Sequence, residues 1–157
     1  MSLRAAIVPL LLGLWILIGT YDAAAQQPGR FAVVDVYVQS AEPLAAWQFE
    51  LTERRGLMQV VGIEGGDNPS FTEPPFYDRE AVALGVADRV IVADFSLSEP
   101  ASLPVGRTRI ASVHVRLAGN ESPDYELQLV AAGAADGRPI DAEISLDTRG
   151  LDTAAGR

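Results

Sequence analysis

The sequence predicts an all-β fold, an antiparallel jelly-roll-like β-sandwich of seven to nine strands with one short helix set in a long loop. Three observations carry this. From residue 31 onward apolar and polar residues alternate in run after run, Gly, Pro and Asp-Gly signals separate the runs, and only one segment has helical character. Successive side chains of a strand point to opposite faces, so a strand with one buried face reads with a period of two.

Taken in order, residues 31–38 put Ala32, Val34, Val36 and Val38 on one face, with Phe31, Val33, Asp35 and Tyr37 on the other. In residues 45–53, Trp47, Phe49 and Leu51 alternate with Gln48, Glu50 and Thr52. Residues 57–63 follow after Arg54-Arg55-Gly56, and the two runs read as a hairpin. Residues 78–86 are the helical candidate, with Asp78 placed to cap it and Ala81, Val82 and Leu84 to pack inward. Residues 89–95 are apolar almost throughout and read as a strand covered on both faces. Residues 107–117 point Ala111, Val113, Val115 and Leu117 inward and Ser112, His114 and Arg116 outward. Tyr125, Leu127, Leu129 and Ala131 form the next inward set, and Ile140, Ala142, Ile144 and Leu146 the last. Between them stands Asp136-Gly137, a tight-turn dipeptide because Gly accepts positive φ, so these two strands are expected to be antiparallel neighbours.

Residues 1–25 read as a cleavable signal peptide. Arg4 supplies the positive start, an apolar run of about 16 residues follows, and Ala23-Ala24-Ala25 offers small residues for cleavage before Gln26. A membrane anchor needs roughly 20 apolar residues, which favours a leader and hence a secreted or periplasmic product. Residues 26–147 then form one domain, and residues 148–157, without apolar periodicity, a flexible tail.

The chain is acidic, with net charge −9, and its 12 basic residues are all Arg. Such a surface repels phosphate backbones, which argues against nucleic acid as a partner. There is no Cys, so disulfides, thiolate metal sites and thiol catalysis are excluded and stability must come from a packed core.

No catalytic signature stands out. His114 is the single His and falls on an outward strand position, no Gly-x-Ser-x-Gly elbow occurs, and Gly65-Gly66 does not open a helix after a strand as a phosphate loop does. A carboxylate pair for glycoside hydrolysis requires a cleft at a set separation, which spacing in sequence does not supply. The reading is therefore not an enzyme, and no cofactor is called for. Calcium is the metal to consider, since Glu64, Asp67, Asn68, Glu73 and Asp78 crowd one loop, although not at EF-hand spacing. Asn120-Glu121-Ser122 fits the glycosylation sequon, followed by a disfavouring Pro123.

Several pieces in order carry a family resemblance: Ala45-Ala46-Trp47-Gln48-Phe49-Glu50-Leu51-Thr52, the strand 57–63 running into Glu64-Gly65-Gly66, Gly106-Arg107-Thr108-Arg109-Ile110-Ala111-Ser112-Val113-His114-Val115, and Asp136-Gly137 with Ile140. Together they resemble cohesin-like domains, β-sandwiches related to carbohydrate-binding modules. The resemblance implies a non-catalytic binding module whose partner is a protein, a dockerin-like module among the candidates, or a polysaccharide. The segment 67–88 is longer than that family leads one to expect.

Residues 62–78 are the candidate binding loop, since a connection this long and this rich in Gly and Pro is usually functional. Its candidate contacts are Glu64, Asp67, Phe71, Phe76, Tyr77 and Asp78. Either the aromatics cap the core, in which case Phe76→Ala removes about 3–5 kcal/mol, or Phe71 or Tyr77 lies exposed as a binding ring with Glu64 and Asp67 at its rim. The alternative to a binding module is an assembly subunit that self-associates through an exposed strand or the outward strip Phe31, Val33 and Tyr37.

Overall fold

The structure, a computed structural model, describes residues 29–85 and 87–150. The expected leader, its cleavage site and residues 151–157 lie outside the described residues. The elements are β1 (Arg30–Ser40), β2 (Ala46–Glu53), β3 (Met58–Gly65), α1 (Arg79–Ala83), β4 (Arg89–Phe95), β5 (Gly106–Leu117), β6 (Tyr125–Gly133) and β7 (Ala142–Arg149), with single 3-10 turns at Pro69–Phe71 and Pro100–Ser102.

Seven strands form two antiparallel sheets, β3-β5-β1-β7 and β4-β2-β6. Their facing sides make one core. Val34, Val36 and Val38 of β1, Trp47, Phe49 and Leu51 of β2, and Val113, Val115 and Leu117 of β5 are fully buried, as their alternation requires. The expected sandwich, its strand count and its short helix are all present.

Where the connections differ from expectation, the cause is local. Residues 57–63 do not return beside β2 but cross to the other sheet. The buried carboxylate of Glu53 directs this crossing by accepting from the amides of Arg55 (3.1 Å), Leu57 (2.7 Å) and, from the β5–β6 loop, Asp124 (2.9 Å). Gly56 completes the corner at φ +69°, a conformation that favours glycine. A hairpin reading rests on spacing and turn residues, and neither distinguishes a return within one sheet from a corner between two.

Asp136-Gly137 does form a tight reversal, with Gly137 at φ +81° and the Ile140 amide bonded to Ala132 O at 3.0 Å. The pairing lasts only to residue 140. The chain then crosses, and β7 pairs with β1 instead of β6. A bulge where β6 passes Gln48 and Phe49 of β2 moves the inward position from Ala131 to Ala132. β4 is an edge strand covered on its inner side, not on both, and Ile91 is exposed. β7 continues through Thr148 and Arg149, opposite Val34 and Val33, so the tail begins later than residue 148.

Candidate binding surface

The loop after β3 is built onto the sandwich from its first residues. The side chain of Asn68 accepts from Ser70 N (2.9 Å), and the turn it caps drives Phe71 inward to 1% exposure, edge-on to Trp47 with ring centroids 5.9 Å apart. Gly65 and Gly66 are required by close approach: a Cβ on Gly66 would lie 2.1 Å from Arg109 O, and one on Gly65 2.5 Å from Phe71 O. Phe71 is therefore a core residue, and its reading as an exposed binding ring is corrected.

The other predicted contacts scatter. Asp67 pairs with Arg109, which also reaches Ser112 and Asp35 on the outer side of the four-stranded sheet. Glu64 Oε1 lies 3.3 Å from His114 Nε2. Asp78 Oδ1 accepts from Ala81 N at 2.9 Å and caps α1, as expected. Tyr77 packs on the core under the Arg79 guanidinium, 5.3 Å from its ring centroid. Leu84, expected to pack inward, is exposed because α1 ends one residue earlier. Glu64, Asp67 and Asp78 thus serve separate partners, and among the described residues no three His, Asp or Glu side chains come together at metal-binding range.

Asp35 is the surprise on that outer side. It is 4% exposed although its position alternates away from the core. Burial pushes its carboxyl pKa up, but hydrogen bonds from Arg149 and Ser112 and the charges of Arg149 and Arg109 outweigh this and hold it below the ordinary value. The expected outward apolar strip is broken here: Phe31 is 66% exposed, but Tyr37 lies under the Arg107 guanidinium, 3.5 Å from its ring centroid, and Val33 is half-buried.

Phe76 is the one loop aromatic left in solvent, at 64% exposure, and so does not cap the core. Its backbone extends the three-stranded sheet by exchanging two hydrogen bonds with Ala93, at 2.8 and 3.0 Å. That pairing aligns its ring with Phe95, which is 56% exposed, in a stack 6.1 Å between centroids and 4° from parallel. The two rings wall one side of an open groove of about 470 Å³, whose floor is Ala46, Gln48, Ala93 and Ala131 and whose far wall is Gly137 and Pro139. Asp94 lines it too, and burial raises its carboxyl pKa, offset in part by the amide of Phe95. Sequence reasoning misses Phe95 and Ile91 because a nearly unbroken apolar run reads as buried on both sides, whereas both are exposed. The outward phase of β2, in which Gln48 faces away from Trp47, could have located this face.

The fold as a whole aligns with solved structures of cohesins. A non-cellulosomal cohesin from the hyperthermophilic archaeon Archaeoglobus fulgidus aligns with TM-score 0.55 at 16% identity, over 73% of this chain and 75% of that one. The fold is cohesin-like. A chain from a type I cohesin–dockerin complex of Clostridium thermocellum aligns with TM-score 0.52 at 14% identity, over 73% of this chain and 84% of that one. No protein-family profile and no curated protein sequence matches. At these identities the cohesin-like likeness is one of architecture, consistent with motifs that are mostly alternation and turn glycines.

Proposed function

We propose that this chain is an exported, non-catalytic protein-binding module that engages its partner through the outer face of β4-β2-β6. The observation that carries this reading is the exposed Phe76–Phe95 stack over an apolar groove, because large rings held in solvent by a rigid sheet mark contact surfaces. The cohesin-like fold supports a protein as partner, since one neighbour of that fold is a cohesin solved with a dockerin. A dockerin-like module is accordingly the first candidate.

The test immobilises the purified protein and offers it a panel of dockerin modules, cell-envelope proteins and glycans. The expected result is a protein retained by the wild type and released by Phe95→Asp at unchanged melting temperature. Retention that survives Phe95→Asp, or binding confined to glycans, refutes the proposal.

A further inference from the structure

We infer that the partner brings Lys or Arg side chains beside its apolar anchor, and that these meet an acidic margin formed by residues 73–99. This rests on the docking face proposed above and adds the chemistry of what docks there. Over much of the remaining surface, acids sit beside guanidinium groups: Glu42 with Arg138, Glu126 with Arg54, Asp147 with Arg107, Asp67 with Arg109. Residues 73–99 break that pattern. Among the described residues, Glu73, Glu80, Asp88, Asp94 and Glu99 have no cation within 4.0 Å, while Arg79 lies over Tyr77 and Arg89 is taken by Glu50.

The same segment holds most of the exposed large apolar side chains, namely Phe76, Leu84, Ile91, Phe95 and Leu97, the last 92% exposed. Uncompensated carboxylates and solvated apolar groups therefore share one stretch of chain, the loop and helix that lead into β4 and pair beside it through Phe76, and β4 with the residues after it. An apolar partner without charge would strip water from those carboxylates and return nothing, and an anionic one would be repelled. A partner with cations at its rim gains on both counts. The chain contains no Lys, and the two Arg of this segment are taken by Tyr77 and Glu50, so the missing charge is one the partner supplies.

The test uses two amphipathic peptides of about 15 residues with the same Leu positions, one carrying Lys and the other Glu at the polar positions, titrated into the ¹⁵N-labelled protein. The Lys peptide is expected to shift the amides of Phe76, Ile91 and Phe95, and to bind about tenfold more weakly at 300 than at 50 mM NaCl. The combined substitution Glu73→Gln, Glu80→Gln, Asp88→Asn and Glu99→Gln, all exposed positions, is expected to weaken it about fivefold or more. The Glu peptide should leave those amides unmoved. Equal shifts from both peptides, or an unchanged Kd in the fourfold variant, overturn the charge inference while the docking face stands. If neither peptide moves those amides, the docking face itself fails and the inference falls with it.

Discussion

Phe71 and Phe76 stand five residues apart in one loop, and the structure assigns them opposite fates. Phe71→Ala removes a ring that is 1% exposed, and truncating a buried Phe typically removes about 3–5 kcal/mol. The edge-on contact with Trp47 places the expected loss near 4 kcal/mol, since such aromatic pairs add about 0.5–1.5 kcal/mol beyond their buried area. For a domain of this size each kcal/mol lowers Tm by about 3–5 °C, so Phe71→Ala should melt on the order of 15 °C below wild type. Phe76→Ala loses only a stacked neighbour that is itself half in solvent, which is below about 1 kcal/mol and about 4 °C. Thermal unfolding followed by circular dichroism on the two variants side by side reads both numbers. Equal shifts, or a fall of less than about 5 °C for Phe71→Ala, would refute the claim that this loop is anchored through Phe71 and presents Phe76.

Four further outcomes follow from the same geometry. Asp35 has its carboxyl pKa held below the ordinary value of 3.8, so its stabilisation is present above that value and is lost as pH falls through the lower folded one. Asp35→Asn should remove about 1–3 kcal/mol near neutral pH, less than a fully buried pair because the Arg149 side chain is largely exposed, and should flatten the acid limb. Superimposable urea midpoints near neutral pH, or a gap between the two proteins that stays undiminished down to about pH 2, would count against this. Glu53→Gln turns an acceptor of three amides into a weaker one with donors of its own, and an expected loss of about 2–4 kcal/mol should show in chemical denaturation. Gly66→Ala must push the loop off β5, and a loss of about 1–3 kcal/mol with enhanced amide exchange at Asp67 is expected. Tyr125 has its hydroxyl pKa pushed up to about 12, first by burial and then by the charge of Glu53, so stability should fall as pH rises from the ordinary value of 10.0 toward it. Tyr125→Phe should abolish that part of the alkaline loss, as ultraviolet titration and melting curves would record.

The strands were legible because burial on one face leaves a strict period of two, and β1, β2 and β5 put Val34, Phe49 and Val115 where alternation says they belong. The connections were not. Whether Arg54-Arg55-Gly56 returns within a sheet or turns a corner depends on Glu53 collecting an amide from the distant β5–β6 loop, and no local pattern records that partner. The inward phase of β6 slipped at Ala131 for a related reason, since a bulge is a property of two strands in register and not of one. In the loop 62–78, Asp78 caps α1 as its position before the helical run implies, and one of the three aromatics, Phe76, stands in solvent. The assignment of rings failed because composition does not distinguish an aromatic aimed at Trp47 from one held in solvent by a single bridge to Ala93.

The adjacency of β1 and β7 bears on how the domain behaves under load. Because these first and last strands run antiparallel, the start of one and the end of the other emerge at the same end of the sheet. Tension applied through both ends would peel this pair apart rung by rung, and would not shear all of its rungs at once. The bonds from Arg149 to Asp35 lie at the opening of that zipper and would meet the force first. A carboxylate buried on an otherwise solvated face is thus placed where separation of the two strands begins, and its loss would lower the force at which the domain yields more than its share of equilibrium stability suggests.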